Sequence, residues 1–348
     1  MNVPKLRFLN FNNDYEIKEI SDITYNVSSG KISKQLEDGE YNVYGSMGII
    51  GKSNFYDYTG EKVLVARVGA NAGSVNKINE KCCISDNTLV LEPKNILNDY
   101  LYYSLSHYDP KKLIFGSGQP LVTGGQLKKI KLGVPSKEEQ VKVSNFLSLL
   151  DKKIELQSKK IEDLKLFKKG LLKKNYYKIA NNNLTELSCI ANIYQPQTIS
   201  QSELDNGKYY VFGANGIIGK YSKFNHKFMQ VTISCRGENS GTINLTPDEC
   251  WITGNSMVLN VDENKNVDKL YLKNILEAQN LKYLISGSGQ PQIVRSSVLK
   301  HKIPYISIEQ QKKFTIPFIK LDSKIKLEQN KLIKLQKLKK GLMQRMFV

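Results

Sequence analysis

The sequence YNVYGSMGIIGK at residues 41–52 returns at residues 209–220 as YYVFGANGIIGK, with eight of the twelve positions identical. A second match follows in the same order, because VGANAGSVN at 68–76 corresponds to RGENSGTIN at 236–244. The spacing of 168 residues is far longer than the roughly 20 to 50 residues of solenoid repeats. It therefore indicates tandem duplication of a whole globular domain.

Each copy of the repeat ends in a segment with the pattern of a long amphipathic helix. DKKIELQSKKIEDLKLFKKGLL at 151–172 recurs as DSKIKLEQNKLIKLQKLKKGLM at 322–343. In both segments apolar residues recur at alternating steps of three and four, which is typical of a coiled-coil seam.

The same start signal precedes both helices. Ser136 with Glu139, and Ser307 with Gln310, match the capping box in which two side chains bond the free amides of a helix start. Pro317 follows soon after the second signal and predicts a kink or a restart there, since proline has no backbone donor.

The two apolar stripes predict that the helices pair with each other. In a parallel pair Lys168 would oppose Lys339 across the seam, so we predict antiparallel pairing. That arrangement would also set Gln157 opposite Glu328, each at the midpoint of its stripe, as a polar layer that fixes the register of the helices.

The globular parts contain short apolar or alternating runs separated by Gly, Asn and Asp, together with a helical pattern at 98–107 and at 267–279. The predicted fold class is α+β. It comprises two tandem mixed α/β domains, each followed by a long helix, and the two helices form an antiparallel coiled coil with pseudo-twofold symmetry. The predicted segments are 1–135 for the first domain, 136–178 for the first helix, 179–306 for the second domain and 307–348 for the second helix.

The chain is strongly basic, with a formal net charge of +18 and a pI near 9.4. A polyanionic partner is therefore expected, and nucleic acid is the first candidate. Most of the excess charge lies in the helical segments, where residues 137–178 contribute +6 and residues 307–348 contribute +8. The charge alone leaves open whether these lysines contact a partner or form solvated helix faces.

Several functional classes are disfavoured by what the sequence lacks. No run of about 18 apolar residues and no signal-peptide pattern occurs, so a cytoplasmic location is expected. The five cysteines lack C-x-x-C spacing, which predicts no metal site, and the equivalent Cys82 and Cys250 are expected to be buried apolar positions. GSMGIIGKS at 45–53 has five residues between its outer glycines where a P-loop has four, and no methyltransferase, nuclease or hydrolase motif occurs. No residue is therefore predicted to be catalytic.

The doubled order of these motifs resembles the specificity subunit of type I restriction-modification enzymes. The resemblance rests on YGSMGIIG and YVFGANGIIG, on two SGQP segments, and on EEQ…LLDKKI with EQQ…KLDSKI, and it covers nearly the whole chain. It implies that each domain is a target recognition domain for one half of a bipartite DNA site. It also implies that the helices form a spacer and bind two adenine methyltransferase subunits, which restriction subunits can join.

The same resemblance implies a chain without catalysis or cofactor of its own. S-adenosylmethionine, and ATP with magnesium, are then expected on the partner subunits. The alternative is an autonomous DNA-binding or RNA-binding protein with two similar domains and no methyltransferase partner.

The duplication itself suggests which residues contact DNA. If the two domains read different half-sites, residues identical in both are expected to be scaffold or phosphate contacts, and polar loop residues that differ are expected to read bases. The identical pairs are Lys52 and Lys220, Asn71 and Asn239, and Gln119 and Gln290. The differing residues are Asn54, Tyr56, Arg67 and Thr123 in the first domain, and Lys223, His226, Arg236, Glu238 and Arg295 in the second.

Arg67 and Arg236 lie one position apart when the two copies are aligned. We therefore expect their side chains to point in different directions. For each candidate the alternative is an ordinary solvated loop side chain.

Overall fold

The chain divides into two compact units, residues 1–158 with 330–348, and residues 159–329. Each unit contains one globular domain and a portion of each long helix. The computed structural model describes residues 3–32, 36–46, 48–114, 119–181, 183–214, 216–286 and 291–348.

The first globular domain consists of short strands and helices, followed by a long helix. Its strands are β1 (Glu16–Glu19), β2 (Thr24–Ser29), β3 (Tyr41–Gly45), β4 (Gly48–Ser53), β5 (Glu61–Ala66), β6 (Val75–Asn79), β7 (Cys82–Ile84), β8 (Thr88–Pro93) and β9 (Lys131–Val134). Its helices are α1 (Ile20–Ile23), α2 (Asn98–Tyr108) and α3 (Gly124–Lys128), followed by the long α4 (Lys137–Ile179).

The second globular domain repeats this order. Its strands are β10 (Leu184–Glu186), β11 (Asn192–Tyr194), β12 (Tyr209–Gly213), β13 (Gly216–Tyr221), β14 (Val231–Ser234), β15 (Ile243–Leu245), β16 (Cys250–Ile252), β17 (Ser256–Asn260) and β18 (Lys302–Pro304). Its helices are α5 (Leu187–Ile190), α6 (Lys269–Gln279) and α7 (Arg295–Leu299), followed by the long α8 (Ile308–Met346).

Sheet topology is the same in both domains. An antiparallel four-stranded sheet has the order β2-β8-β5-β6 in the first domain and β11-β17-β14-β15 in the second. A three-stranded sheet follows, β4-β3-β7 or β13-β12-β16, in which the last two strands are parallel. The pairs β1-β9 and β10-β18 complete each domain.

The four-stranded sheet of the first domain is buried on both faces, which explains its unbroken apolar runs. Val63, Val65 and Leu91 belong to the large core that also contains side chains of α2. The alternate residues Leu64 and Val90 pack on the opposite face in a separate core with side chains of β7. Period-two alternation thus directs the same strands into two cores.

The repeated hairpin sequence forms β3–β4 and β12–β13, and both hairpins carry the same irregularity. The register shifts between Val43 and Tyr44 in one and between Val211 and Phe212 in the other. Cys82, in the strand beside the first hairpin, is fully buried, as is its counterpart Cys250. Burial raises the pKa of Cys82 to about 12. Both cysteines are therefore buried apolar positions, as predicted.

The two long helices begin differently despite their shared start signal. Ser307 and Gln310 form the complete capping box, with reciprocal bonds of 3.1 and 3.3 Å. At the first helix the box is only half formed, because the carboxylate of Glu139 accepts two bonds from Arg7 at 2.8 and 2.7 Å. The bond from the Glu139 amide to Ser136 Oγ forms as predicted. The prediction that the Glu139 side chain bonds back to the Ser136 amide was wrong. Of the two outcomes predicted at Pro317, the restart does not occur, because α8 continues through that residue. The kink stays a prediction.

A buried glutamine ties each long helix to the globular domain before it. The side chain of Gln140 accepts from the Leu97 amide, which precedes α2, at 2.9 Å and donates to the Pro135 carbonyl at 3.0 Å. Gln311 makes the equivalent bonds, accepting from the Asp268 amide at 2.8 Å and donating to the carbonyl before its own helix. These bonds satisfy backbone groups at two helix starts with one side chain.

Within each unit the two long helices run antiparallel, as predicted. In the first unit Asp151, near the start of α4, pairs with Lys339, near the end of α8. In the second unit Lys168, near the end of α4, lies 2.6 Å from Asp322, near the start of α8. None of the described helices combines the length and the apolar composition that a membrane-spanning helix requires.

Candidate nucleic-acid interface

A compact glycine loop joins β5 to β6 in the first domain. Its closure depends on the Gly73 amide donating to the Ala66 carbonyl at 2.8 Å and on the Ala72 amide donating to the Gly69 carbonyl at 2.9 Å. Gly69 and Gly73 both have a φ of 81°, the left-handed region that favours glycine. A Cβ on Gly73 would also lie 2.5 Å from the backbone nitrogen of Lys111, so no larger residue fits there.

A second segment, residues 119–123, lies against this loop. The Gly69 amide donates to the Pro120 carbonyl at 3.0 Å, and the Val122 amide donates to the Arg67 carbonyl at 2.8 Å. These two bonds flank an antiparallel pair formed by Val68 and Leu121. In such a non-hydrogen-bonded pair the two side chains lie on the same face and close together.

The second domain builds the same arrangement from different side chains. The Gly237 amide donates to the Pro291 carbonyl at 3.0 Å, and the Ile293 amide donates to the Cys235 carbonyl at 2.9 Å. The pair between these bonds is Arg236 and Gln292. Arg236 is thus the structural counterpart of Val68. We call the paired segments, residues 67–71 with 119–122 and 235–239 with 291–293, the loop platform of each domain.

One face of each loop platform points into the domain and the other points outward. Val122, Cys235 and Ile293 are all buried. Because side chains alternate along an extended segment, their neighbours point the other way. Arg236 accordingly is exposed, whereas Arg67, the counterpart of buried Cys235, is half-buried on the inner side. The two arginines therefore lie on opposite faces of equivalent platforms.

The structure brings four of the predicted residues of the first domain together at its loop platform. Arg67 and Asn71 lie in the glycine loop, and Gln119 is exposed beside Pro120. Thr123 follows directly and caps α3, because its Oγ1 accepts from the Gln126 amide at 3.2 Å. That bond is local, so it accounts for Thr123 without a ligand.

The other three candidates of the first domain lie on or just after β4, in the three-stranded sheet. Lys52 Nζ donates to Asn42 Oδ1 at 2.8 Å, and Asn54 is exposed in the turn that follows. The ring of Tyr56 packs edge-on against Tyr41, with centroids 5.0 Å apart. These residues form a second surface, separate in sequence from the loop platform.

In the second domain, Arg236, Glu238 and Asn239 are exposed on the loop platform. Lys220 and Lys223 are exposed on β13 and in the turn after it. The remaining candidate from the identical pairs, Gln290, lies outside the described residues.

His226 and Arg295 are engaged inside the second domain. His226 is buried, with Nε2 2.8 Å from the Tyr194 hydroxyl and Nδ1 2.6 Å from Asn225 Oδ1. Burial lowers the pKa of His226. Arg295 starts α7, and its Nε donates to the Ile193 carbonyl at 2.6 Å. Both nitrogens of the histidine ring thus have partners within the domain.

The described residues contain no group of three or more His, Cys, Asp or Glu side chains that could hold a metal ion. Among the described residues of the loop platforms, the one thiol, that of Cys235, donates to the Ile233 carbonyl and to no base. What the platforms do offer is a hydrogen-bonded backbone whose outward side chains differ between the copies.

Comparison with known proteins identifies the family. Residues 12–166 and 180–337 each match the family described as Type I restriction modification DNA specificity domain. This chain belongs to that family. It is accordingly a non-catalytic, DNA-recognition subunit of a type I restriction-modification system.

Individual relatives agree with this assignment. The MjaVIII specificity subunit of Methanocaldococcus jannaschii is 26% identical over 98% of this chain and 94% of its own length. The putative specificity subunit S.MpnORF285P of Mycoplasma pneumoniae is 32% identical over 40% of this chain and 47% of its own length. The S subunit crystal structure from M. genitalium shares the fold, with a TM-score of 0.65, 19% identity and 99% coverage of both chains.

Sequence reasoning missed Val68, Leu121 and Gln292 as members of the platform faces. Two of these residues are apolar, and an apolar residue in a loop sequence gives no sign of DNA contact. The offset of one position between Arg67 and Arg236 was the available signal, since it aligns Arg236 with Val68.

Proposed function

We propose that this specificity subunit recognises a bipartite DNA site, one half with each globular domain, and directs adenine methyltransferase subunits to it. The observation that carries the proposal is the family match, which covers both copies of the repeat separately. Two copies of one DNA-recognition domain in one chain are what a two-part site requires.

DNA contact is proposed at the loop platforms and at the hairpin lysines. Lys52, Lys220, Asn71, Asn239, Gln119 and Gln290 are proposed as phosphate or scaffold contacts shared by both domains. Asn54, Tyr56, Arg67, Thr123, Lys223, His226, Arg236, Glu238 and Arg295 are the proposed base-reading candidates. Exposed Arg236 and Glu238 are the strongest of these, because Thr123, His226 and Arg295 already have internal partners.

The long helices are proposed as the spacer between the half-sites and as the binding surface for two methyltransferase subunits. Their lysine-rich composition gives them +14 of the net charge of +18. Gln157 and Glu328 are proposed to fix their register. Glu328 is buried and accepts from Lys160 at 3.1 Å within the second unit. S-adenosylmethionine, ATP and magnesium would then act on partner subunits, in the cytoplasm.

The test is to compare DNA methylation in cells that express the methyltransferase with and without this chain. We expect one bipartite adenine-methylation motif to appear only when the chain is present. Methylation that is independent of the chain would contradict the proposal. Tight binding to RNA without methylation of DNA would favour the autonomous binding protein instead.

A further inference from the structure

The loop platforms of the two domains share one backbone but carry opposite surface chemistry. The four hydrogen bonds that flank the central pairs are equivalent and between 2.8 and 3.0 Å long. On this common frame the first domain presents Val68 opposite Leu121, and the second presents Arg236 opposite Gln292. An apolar pair in one copy is thus a polar pair in the other.

A third position, in the adjoining turn, is likewise apolar in the first domain and polar in the second. Ala70 of the first domain and Glu238 of the second each follow the loop's first glycine, and both are exposed. Asn71 and Asn239, which come next, are identical in the two copies. At the outward positions the change is therefore from apolar to polar, while the inward position beside the central pair changes from Arg67 to Cys235.

Three polar side chains of the second platform, those of Arg236, Glu238 and Gln292, are available to an external partner. Arg236, Glu238 and Gln292 make no side-chain hydrogen bond or ion pair to any other described residue, and all three are exposed. Stability of the fold does not explain an arginine, a glutamate and a glutamine gathered there, because surface positions without contacts contribute little to it.

Buried neighbours fix the direction of the central pair. Val122 has 0% of its surface exposed, Ile293 3% and Cys235 1%, so the adjacent pair members point away from the core. A backbone held by these hydrogen bonds, with side chains directed outward, suits base recognition, in which a few side chains must be held at fixed positions.

We infer that three equivalent positions set the specificity of the two half-sites: Val68, Ala70 and Leu121 in the first domain, and Arg236, Glu238 and Gln292 in the second. The inference rests on the proposed function and adds which positions of each domain determine the sequence that is read. The first domain reads through apolar contact, which suits the methyl group of thymine. The second reads through hydrogen bonds, since arginine pairs with guanine, glutamine with adenine, and glutamate with the amino group of cytosine.

The test exchanges this chemistry between the domains of the full chain. The triple variant Val68→Arg, Ala70→Glu, Leu121→Gln is expressed with the methyltransferase, and the methylated motif is sequenced. We expect the half-site of the first domain to change or lose discrimination by at least about tenfold at one or more positions. The other half-site stays as in the wild type. The matched control adds the same charges at exposed positions off the platform, as Leu9→Arg with Thr59→Glu, and leaves the motif unchanged.

The reciprocal variant Arg236→Val, Gln292→Leu provides a second, independent readout. It removes only exposed side chains, and it is expected to relax the half-site of the second domain alone. If the triple variant abolishes methylation altogether, the motif of the reciprocal variant shows whether these positions set the specificity. If either variant folds and directs methylation to the same motif as the wild type, the inference is wrong. The proposed function still stands in that case, because the wild type directs methylation to a bipartite motif. A wild type that directs no methylation overturns the proposed function instead.

Discussion

Lys168 of α4 lies 2.6 Å from Asp322 of α8, and the equivalent lysine of α8, Lys339, pairs with the equivalent aspartate of α4, Asp151. The duplication therefore supplies both partners of both ion pairs from one copied pattern. A parallel arrangement would set each lysine against its own copy. The charge pattern thus selects the antiparallel direction twice, once within each unit.

Reversing one of these charges should destabilise the second unit and be repaired by reversing its partner. We expect Lys168→Glu to lower the free energy of unfolding by about 1 kcal/mol, because like charges then face each other on a partly exposed surface. In the double variant with Asp322→Lys most of the loss should be recovered. Urea unfolding of the four proteins measures the coupling. Additive losses in the double variant would contradict a direct pairing.

Features encoded by repetition, periodicity and charge pattern were predictable from the sequence, and isolated long-range contacts between single residues were not. The duplicated domains, α2, α6 and the antiparallel helices followed from identity, periodicity and charge. The two bonds from Arg7 to Glu139 did not, because these residues are 132 positions apart and the local capping box was the simpler expectation. His226 shows the same limit, since a polar residue in a loop sequence gives no sign that the folded chain buries it.

The glycine loop of the first domain offers a matched pair of substitutions. Gly69 and Gly73 share a φ of 81°, so alanine at either position costs about 1 kcal/mol of backbone strain. Only at Gly73 does the new Cβ meet backbone, 2.5 Å from Lys111 N, whereas at Gly69 it meets open space. We expect Gly73→Ala to cost about 2 kcal/mol more than Gly69→Ala. It should also impair recognition of the first half-site. Thermal unfolding and motif sequencing check both effects, and equal behaviour of the two variants would refute the steric argument.

The buried side chain of Gln140, at the start of α4, should contribute strongly to the free energy of unfolding. Replacing Gln140 with leucine leaves the Leu97 amide and the Pro135 carbonyl without their partner in a buried place. The expected loss in the free energy of unfolding is about 2 to 3 kcal/mol. Gln310→Ala is the control, because that exposed side chain makes one capping bond and its loss costs about 0.5 to 1 kcal/mol. Similar midpoints in urea for the two variants would argue against the proposed role of Gln140.

Asp57 of the first domain corresponds to Asn225 of the second. Comparison of the two predicts that Asp57→Asn raises the free energy of unfolding by an amount that depends on pH. In the side chain of Asn225, Nδ2 donates to the Ile252 carbonyl at 3.0 Å and Oδ1 accepts from the Ile252 backbone amide at 2.8 Å. In the first domain Asp57 cannot donate when it is ionised, and among the described atoms its buried Oδ1 has no hydrogen-bond partner. Burial accordingly raises the pKa of Asp57 above the ordinary carboxyl value of 3.8.

We therefore expect Asp57→Asn to stabilise the first unit by about 1 kcal/mol at neutral pH. Because the pKa is higher in the folded state, the wild-type carboxyl stabilises the fold most below its ordinary pKa, and this contribution falls as the pH rises. The advantage of the variant should be small near pH 4 and should grow toward pH 7. Urea unfolding across that range measures it, with the exposed Asp38→Asn as control. An advantage that does not change with pH would show that the charge of Asp57 is not its cause.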